Sequence, residues 1–147
     1  MRRIDMSNIP NIICVDDDKE TIDMMAFTAM SYGDAAMFHL HQSIGGALKR
    51  LAHLHYNVAA VILDISLEDG SGRELTEHIR GHEANYGRSA KIPLFWYTGW
   101  KIDLEDVHDP FTQTFYACEV VKLFVKPTTP QQMFDEVLMY INTKKSG

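Results

Sequence analysis

The sequence predicts an α/β domain, a doubly wound five-stranded parallel sheet with helices on both faces. Three observations predict it. Short β-branched and aromatic runs alternate along the chain with segments of helical periodicity. The runs are nearly continuous in apolar character, as strands buried on both faces must be. A polar, chemically capable residue stands where each of four runs ends, the edge at which open parallel sheets place their ligands.

The elements follow in order. Asn11 to Val15 (NIICV) is a buried strand that ends in three aspartates. Ile22, Met25, Ala26, Ala29 and Met30 then recur with the spacing of one helix face, and Gly33 offers a stop. Met24, Met25 and Met30 are read as core residues, because methionine fills irregular packing gaps. Ala36 to His41 (AMFHLH) is a second strand. Ser43 caps a second helix whose inner face carries Ile44, Leu48, Leu51, Ala52 and His55. Val58 to Leu63 (VAAVIL) runs into Asp64, and LEDGSG reads as a turn before a helix with Leu75 and Ile79 inside.

Pro93 to Tyr97 (PLFWY) ends at Thr98 and Gly99, and Val120 to Val125 (VVKLFV) ends at Lys126 and Pro127. Between them, Asp109 and Pro110 form an N-cap and first helical residue before Phe111 and Phe115. A last helix starts near Thr129 and Pro130, with Met133, Val137, Leu138 and Ile141 facing inward, and the terminal TKKSG reads as frayed.

Composition narrows the function. A chain of 147 residues supports one domain, expected over 8–143 with short tails at 1–7 and 144–147 and no output domain. A net charge of −6 leaves no basic surface for direct nucleic-acid binding. No apolar run approaches the roughly 20 residues of a membrane span, and no secretory signal is evident, so a cytoplasmic location away from membranes is expected. Cys14 and Cys118 lack paired spacing and read as buried thiols. His78 and His82 lie four apart on a helix but have no convincing third ligand, so none of the seven histidines is assigned to a site.

The strand ends carry the chemistry. Asp16, Asp17 and Asp64 would repel one another unless a cation compensates them, and a set of hard oxygen donors suits Mg²⁺. A carboxylate can also attack phosphorus, provided the charge on the transferring group is neutralised. Asp64 is the candidate nucleophile, Lys126 the cation, and the Thr98 hydroxyl a hydrogen-bond donor beside Gly99.

VDDD at 15–18, VILDISLEDGSG at 61–72, FWYTG at 95–99 and FVKP at 124–127 resemble, in order, the signatures of response-regulator receiver domains of two-component signalling. The resemblance implies a flavodoxin-like sheet of order 2-1-3-4-5 and a phosphoryl group carried on Asp64. It implies that Asp17 binds Mg²⁺ directly, Asp16 mainly through water, and Ser66 through its backbone carbonyl, with Thr98 and Lys126 as switch hydroxyl and lysine. The partners it implies are a sensor histidine kinase or histidine phosphotransfer protein upstream and another protein downstream, with the fourth helix, fifth strand and fifth helix as partner face. The expected role is a stand-alone signalling module rather than an enzyme.

Three departures from the family pattern stand out. Glu68 replaces a usual proline, Leu123 occupies the position of the usual switch aromatic while Phe124 points to the opposite face, and the stretch from Gly99 to Asp109 is long. In that stretch Trp100 is read first as a loop anchor and second as a barrier to water. Two other functions fit less well: a receiver fold kept as a binding platform, and a haloacid-dehalogenase-like phosphatase. The latter usually has a second aspartate where this chain has Ser66 and places its acidic pair after the lysine.

Overall fold

The computed structural model describes residues 8–66, 72–88, 90–100 and 102–146. The tail at 1–7, Gly147, and the turn at 67–71 with the Glu68 departure lie outside the described residues. Among the described residues, five parallel strands form one sheet in the order β2-β1-β3-β4-β5. The strands are β1 (Asn11–Val15), β2 (Met37–His41), β3 (Ala60–Asp64), β4 (Leu94–Thr98) and β5 (Lys122–Val125). The helices between and after them are α1 (Lys19–Ala29), α2 (Ile44–His53), α3 (Gly72–His82), α4 (Pro110–Ala117) and α5 (Pro130–Ser146). This is the expected flavodoxin-like topology.

Side-chain alternation divides the core into two layers. Ile12, Cys14, Ile62, Phe95 and Phe124 pack against Ile22 and Met25 of α1 and Phe134, Val137 and Ile141 of α5. Ile13, Val15, Val61, Leu63 and Trp96 pack on the other face against Ala47 and Leu51 of α2, Leu75 and Ile79 of α3, and Phe115 of α4. The interior strands β3 and β4 are buried at every residue, whereas the edge strands β2 and β5 are only partly covered. Leu123 and Phe124 do face opposite layers. Both cysteines are buried free thiols, and burial pushes the Cys14 and Cys118 pKa values up.

Several local expectations are corrected. The first helix ends at Ala29 and tightens into a 3-10 turn over Met30–Ala35, within which Gly33 takes a φ of 53°. The buried face of α1 is only Ile22 and Met25 wide, and Met30 lies on its flank one turn beyond Ala26. Met30 is therefore 78% exposed and Met24 57% exposed, leaving Met25 as the one core methionine of the three. Ala26 is exposed as well.

The second helix stops at His53, and His55 does not continue its face. His55 and Tyr56 adopt positive φ values of 53° and 56°, a turn that carries the Tyr56 ring beneath the domain to stack on Tyr86 at 4.2 Å. Ala52 is exposed, and Ala47 takes the inner position instead. The fifth helix continues to Ser146, where the sequence pattern had predicted fraying.

Gly72 opens α3 against the start of the β3 exit. A Cβ there would lie 2.7 Å from the Ile65 Cα, so glycine is what lets the helix approach the backbone just after Asp64 this closely.

Candidate functional site

Asp64 is the last residue of β3, held by two short-range donors. The Ser66 backbone N–H donates to Asp64 Oδ1 at 2.9 Å, and the Ser66 hydroxyl donates to the same oxygen. The second oxygen, Oδ2, accepts from Lys126 Nζ at 3.1 Å. One carboxylate oxygen is thus oriented by its own turn and the other by the lysine just beyond β5. The Lys126–Pro127 peptide bond is cis.

The aspartate run after β1 divides its labour. Asp16 is fully buried, and its N–H extends the ladder by donating to the His41 carbonyl at 3.0 Å. Asp17 is half-buried beside it. Asp18 caps α1, accepting from the Glu20 N–H at 3.3 Å and the Thr21 hydroxyl at 2.8 Å. Oxygens of Asp16, Asp17 and Asp64 all lie within 4.8 Å of one another.

Thr98 ends β4 and is fully buried. Its Oγ1 accepts from the Trp100 N–H at 2.9 Å, which leaves the hydroxyl proton available to another acceptor. Gly99 lies over the Lys126 stem. The structure therefore brings Asp16, Asp17, Asp64, Ser66, Thr98 and Lys126 to one edge of the sheet.

One residue of this edge was not singled out from the sequence. Tyr97 is buried at the end of β4, and its hydroxyl donates to Asp16 Oδ2. Alternation assigns Tyr97 to the layer opposite Thr98, which hides it among the apolar residues of PLFWY. The signal that could have found it is a phenol at the last position of an otherwise apolar strand run, since a buried tyrosine hydroxyl needs a partner.

The electrostatics follow from burial. Asp16 has its pKa raised, first by desolvation and further by the charge of Asp64, while the Tyr97 hydroxyl, the Asp18 N–H and Lys126 oppose the rise. Burial also pushes the Tyr97 phenol up, so it stays a neutral donor. Lys126 Nζ lies 3.9 Å from Asp16 Oδ2 as well as against Asp64, so a single ammonium faces two buried carboxylates. The donor set has charge left to neutralise. All three acidic ligands are hard oxygens, which fits a divalent cation of the Mg²⁺ type.

The segment beyond Thr98 is anchored. Trp100 is 49% exposed and meets Phe111 edge-on at 5.7 Å, while Ile102 and Leu104 pack on the core. The Thr112 hydroxyl donates to the Asp103 carbonyl at 2.9 Å, tying the segment to α4. His78 and His82 stack at 4.0 Å, and among the described residues no third ligand joins them.

No protein-family model and no curated protein matches the chain. Solved structures do. The chain is similar to a CheY-like response regulator receiver domain protein from Methanospirillum hungatei JF-1, with a TM-score of 0.70 and 20% identity over 95% of this chain and 100% of that one. It is similar to the chemotaxis protein CheY4 of Vibrio cholerae, with a TM-score of 0.70 and 17% identity over 89% of this chain and 98% of that one. A response regulator receiver domain from Clostridium thermocellum gives 0.69 and 18% over 93% and 98%. The fold is an open α/β sheet with an acidic cluster and a lysine at its carboxyl edge, and it is the fold of response-regulator receiver domains. Among the described residues no helix is long and apolar enough to cross a membrane.

Proposed function

We propose that this chain is a receiver domain that accepts a phosphoryl group on Asp64 in a two-component phosphorelay. The observation that carries the proposal is the meeting of Lys126 Nζ with Asp64 Oδ2 at 3.1 Å inside a cluster of three carboxylates. The shared fold and the order of the motifs support it.

In this reading a phosphohistidine of a sensor kinase or phosphotransfer protein presents its phosphorus to Asp64. A carboxylate oxygen attacks, the acyl–oxygen–phosphorus bond forms, and the phosphorus–nitrogen bond breaks to release the imidazole. Lys126 moves its charge from the Asp64 oxygen to a phosphoryl oxygen, and Thr98 donates its hydroxyl proton to another while still accepting from Trp100. Asp17 and Asp64, with Asp16 through water and the Ser66 backbone carbonyl, would hold Mg²⁺. When bound, Mg²⁺ supplies positive charge opposite the transferring group. The residues of the domain assist their own modification and its loss, and the output is a shifted population of conformations read by another protein or passed on by further phosphotransfer.

The test is incubation with Mg²⁺ and a small phosphodonor, followed by intact mass. Wild type should gain one phosphoryl group, and Asp64→Asn should gain none. An unmodified wild-type protein at saturating donor would favour a binding platform, and equal labelling of Asp64→Asn would remove that residue from the role.

A further inference from the structure

We infer that Tyr97 is a positioning residue for the cation site, fixing the orientation of Asp16 through its buried hydroxyl; this rests on the reading of that site as a Mg²⁺ site. Tyr97 sits on β4, Asp16 follows β1, and β3 lies between those strands. The side chain therefore reaches past β3, where its own ladder partner is Asp64. At the far end its hydroxyl donates to Asp16 Oδ2, while the Asp18 N–H donates to Asp16 Oδ1 at 2.8 Å. Both oxygens of a fully buried carboxylate are thus bound from opposite sides, so the group cannot turn without losing a hydrogen bond.

The same tyrosine touches the lysine. Lys126 Nζ lies 5.1 Å from the centre of the Tyr97 ring, within the range of cation–π attraction. One side chain hence contacts both the acidic half and the cationic half of the site. The hydroxyl acts on Asp16, and the ring acts on Lys126.

The two contacts come apart on substitution. Tyr97→Phe keeps the ring, its packing and the Lys126 contact, and removes only the donor to Asp16. Partners one step behind a direct metal ligand commonly govern affinity by about tenfold or more when removed, and Tyr97 acts a step further out, through the water-mediated Asp16. Tyr97→Phe should weaken Mg²⁺ binding by about threefold to tenfold, measured by calorimetry, with its thermal midpoint recorded in parallel.

A tyrosine that merely fills space would not report the cation, whereas a positioning tyrosine must. In wild-type protein labelled with ¹³C at the tyrosine ζ carbon, the Tyr97 resonance should move with Mg²⁺ along the calorimetric saturation curve. That measurement stands even where Tyr97→Phe fails to fold. A Tyr97 resonance unmoved at saturation, or a folded Tyr97→Phe with wild-type affinity, overturns the inference and leaves the Mg²⁺ reading intact. Wild-type protein that binds no Mg²⁺ overturns both.

Discussion

Trp100 and Thr98 illustrate how much of the site is decided within two residues. The Trp100 N–H fills one acceptor site of the Thr98 hydroxyl, while the indole leans on Phe111 and stays half in solvent. That geometry favours the anchor over the water barrier. Trp100→Ala should leave the dephosphorylation rate within about twofold of wild type, while costing about 1 kcal/mol of stability through the lost aromatic contact. A several-fold faster loss of phosphate in a single-turnover assay would restore the barrier. Asp16, Asp17, Asp64, Thr98 and Lys126 were legible in the sequence because each is a polar residue ending an apolar run. Tyr97 was not, because period-two alternation reports which face a side chain leaves from and not how far a phenol reaches. Nor did the run of three aspartates reveal that Asp18 caps the helix rather than joining the acidic cluster.

At the scale of elements, Arg80 joins three of them. From α3 its Nε donates to the Cys118 carbonyl at the end of α4, and its Nη1 donates to the Ile92 carbonyl before β4 at 2.9 Å. The same nitrogen pairs with Glu83 at 3.1 Å, and Glu83 in turn accepts from the Ile92 N–H at 2.8 Å. Both side chains are nearly buried. Arg80→Ala would strand the Glu83 carboxylate, so urea unfolding should show a loss of about 3–5 kcal/mol. The exposed pair Lys19–Asp23 offers the contrast, since breaking it should leave the urea midpoint essentially unchanged. Strand and helix identities were readable from periodicity, but their ends were set by tertiary demands. His55 left the α2 face because the helix stops at His53 and the chain turns with positive φ at His55 and Tyr56, and Met30 left the α1 face because that face is only Ile22 and Met25 wide.

For the whole molecule, the strand order followed from resemblance rather than from periodicity, because alternation marks a strand without naming its neighbours. What the sheet achieves is to hold like charges together at one edge. Burial raises the Asp16 pKa, so between the unfolded value and the raised native one the native state binds protons that the unfolded chain has released. Its contribution to the stability of the cation-free domain should therefore fall as pH rises from the unfolded aspartate value through the raised native one, and be most favourable below that window. Asp16→Asn should flatten this part of the profile in urea titrations with a chelator present. An unchanged slope would remove Asp16 as its source.

The central claim is that the phosphoryl group is carried by Asp64. The most direct measurement is borohydride reduction of the phosphorylated protein followed by peptide mapping, since an acyl phosphate is reduced where an unmodified carboxylate is not. The account predicts a reduction product at position 64 that requires both phosphodonor and Mg²⁺. A product confined to another residue, or phosphate retained through reduction as a phosphoester, would contradict it.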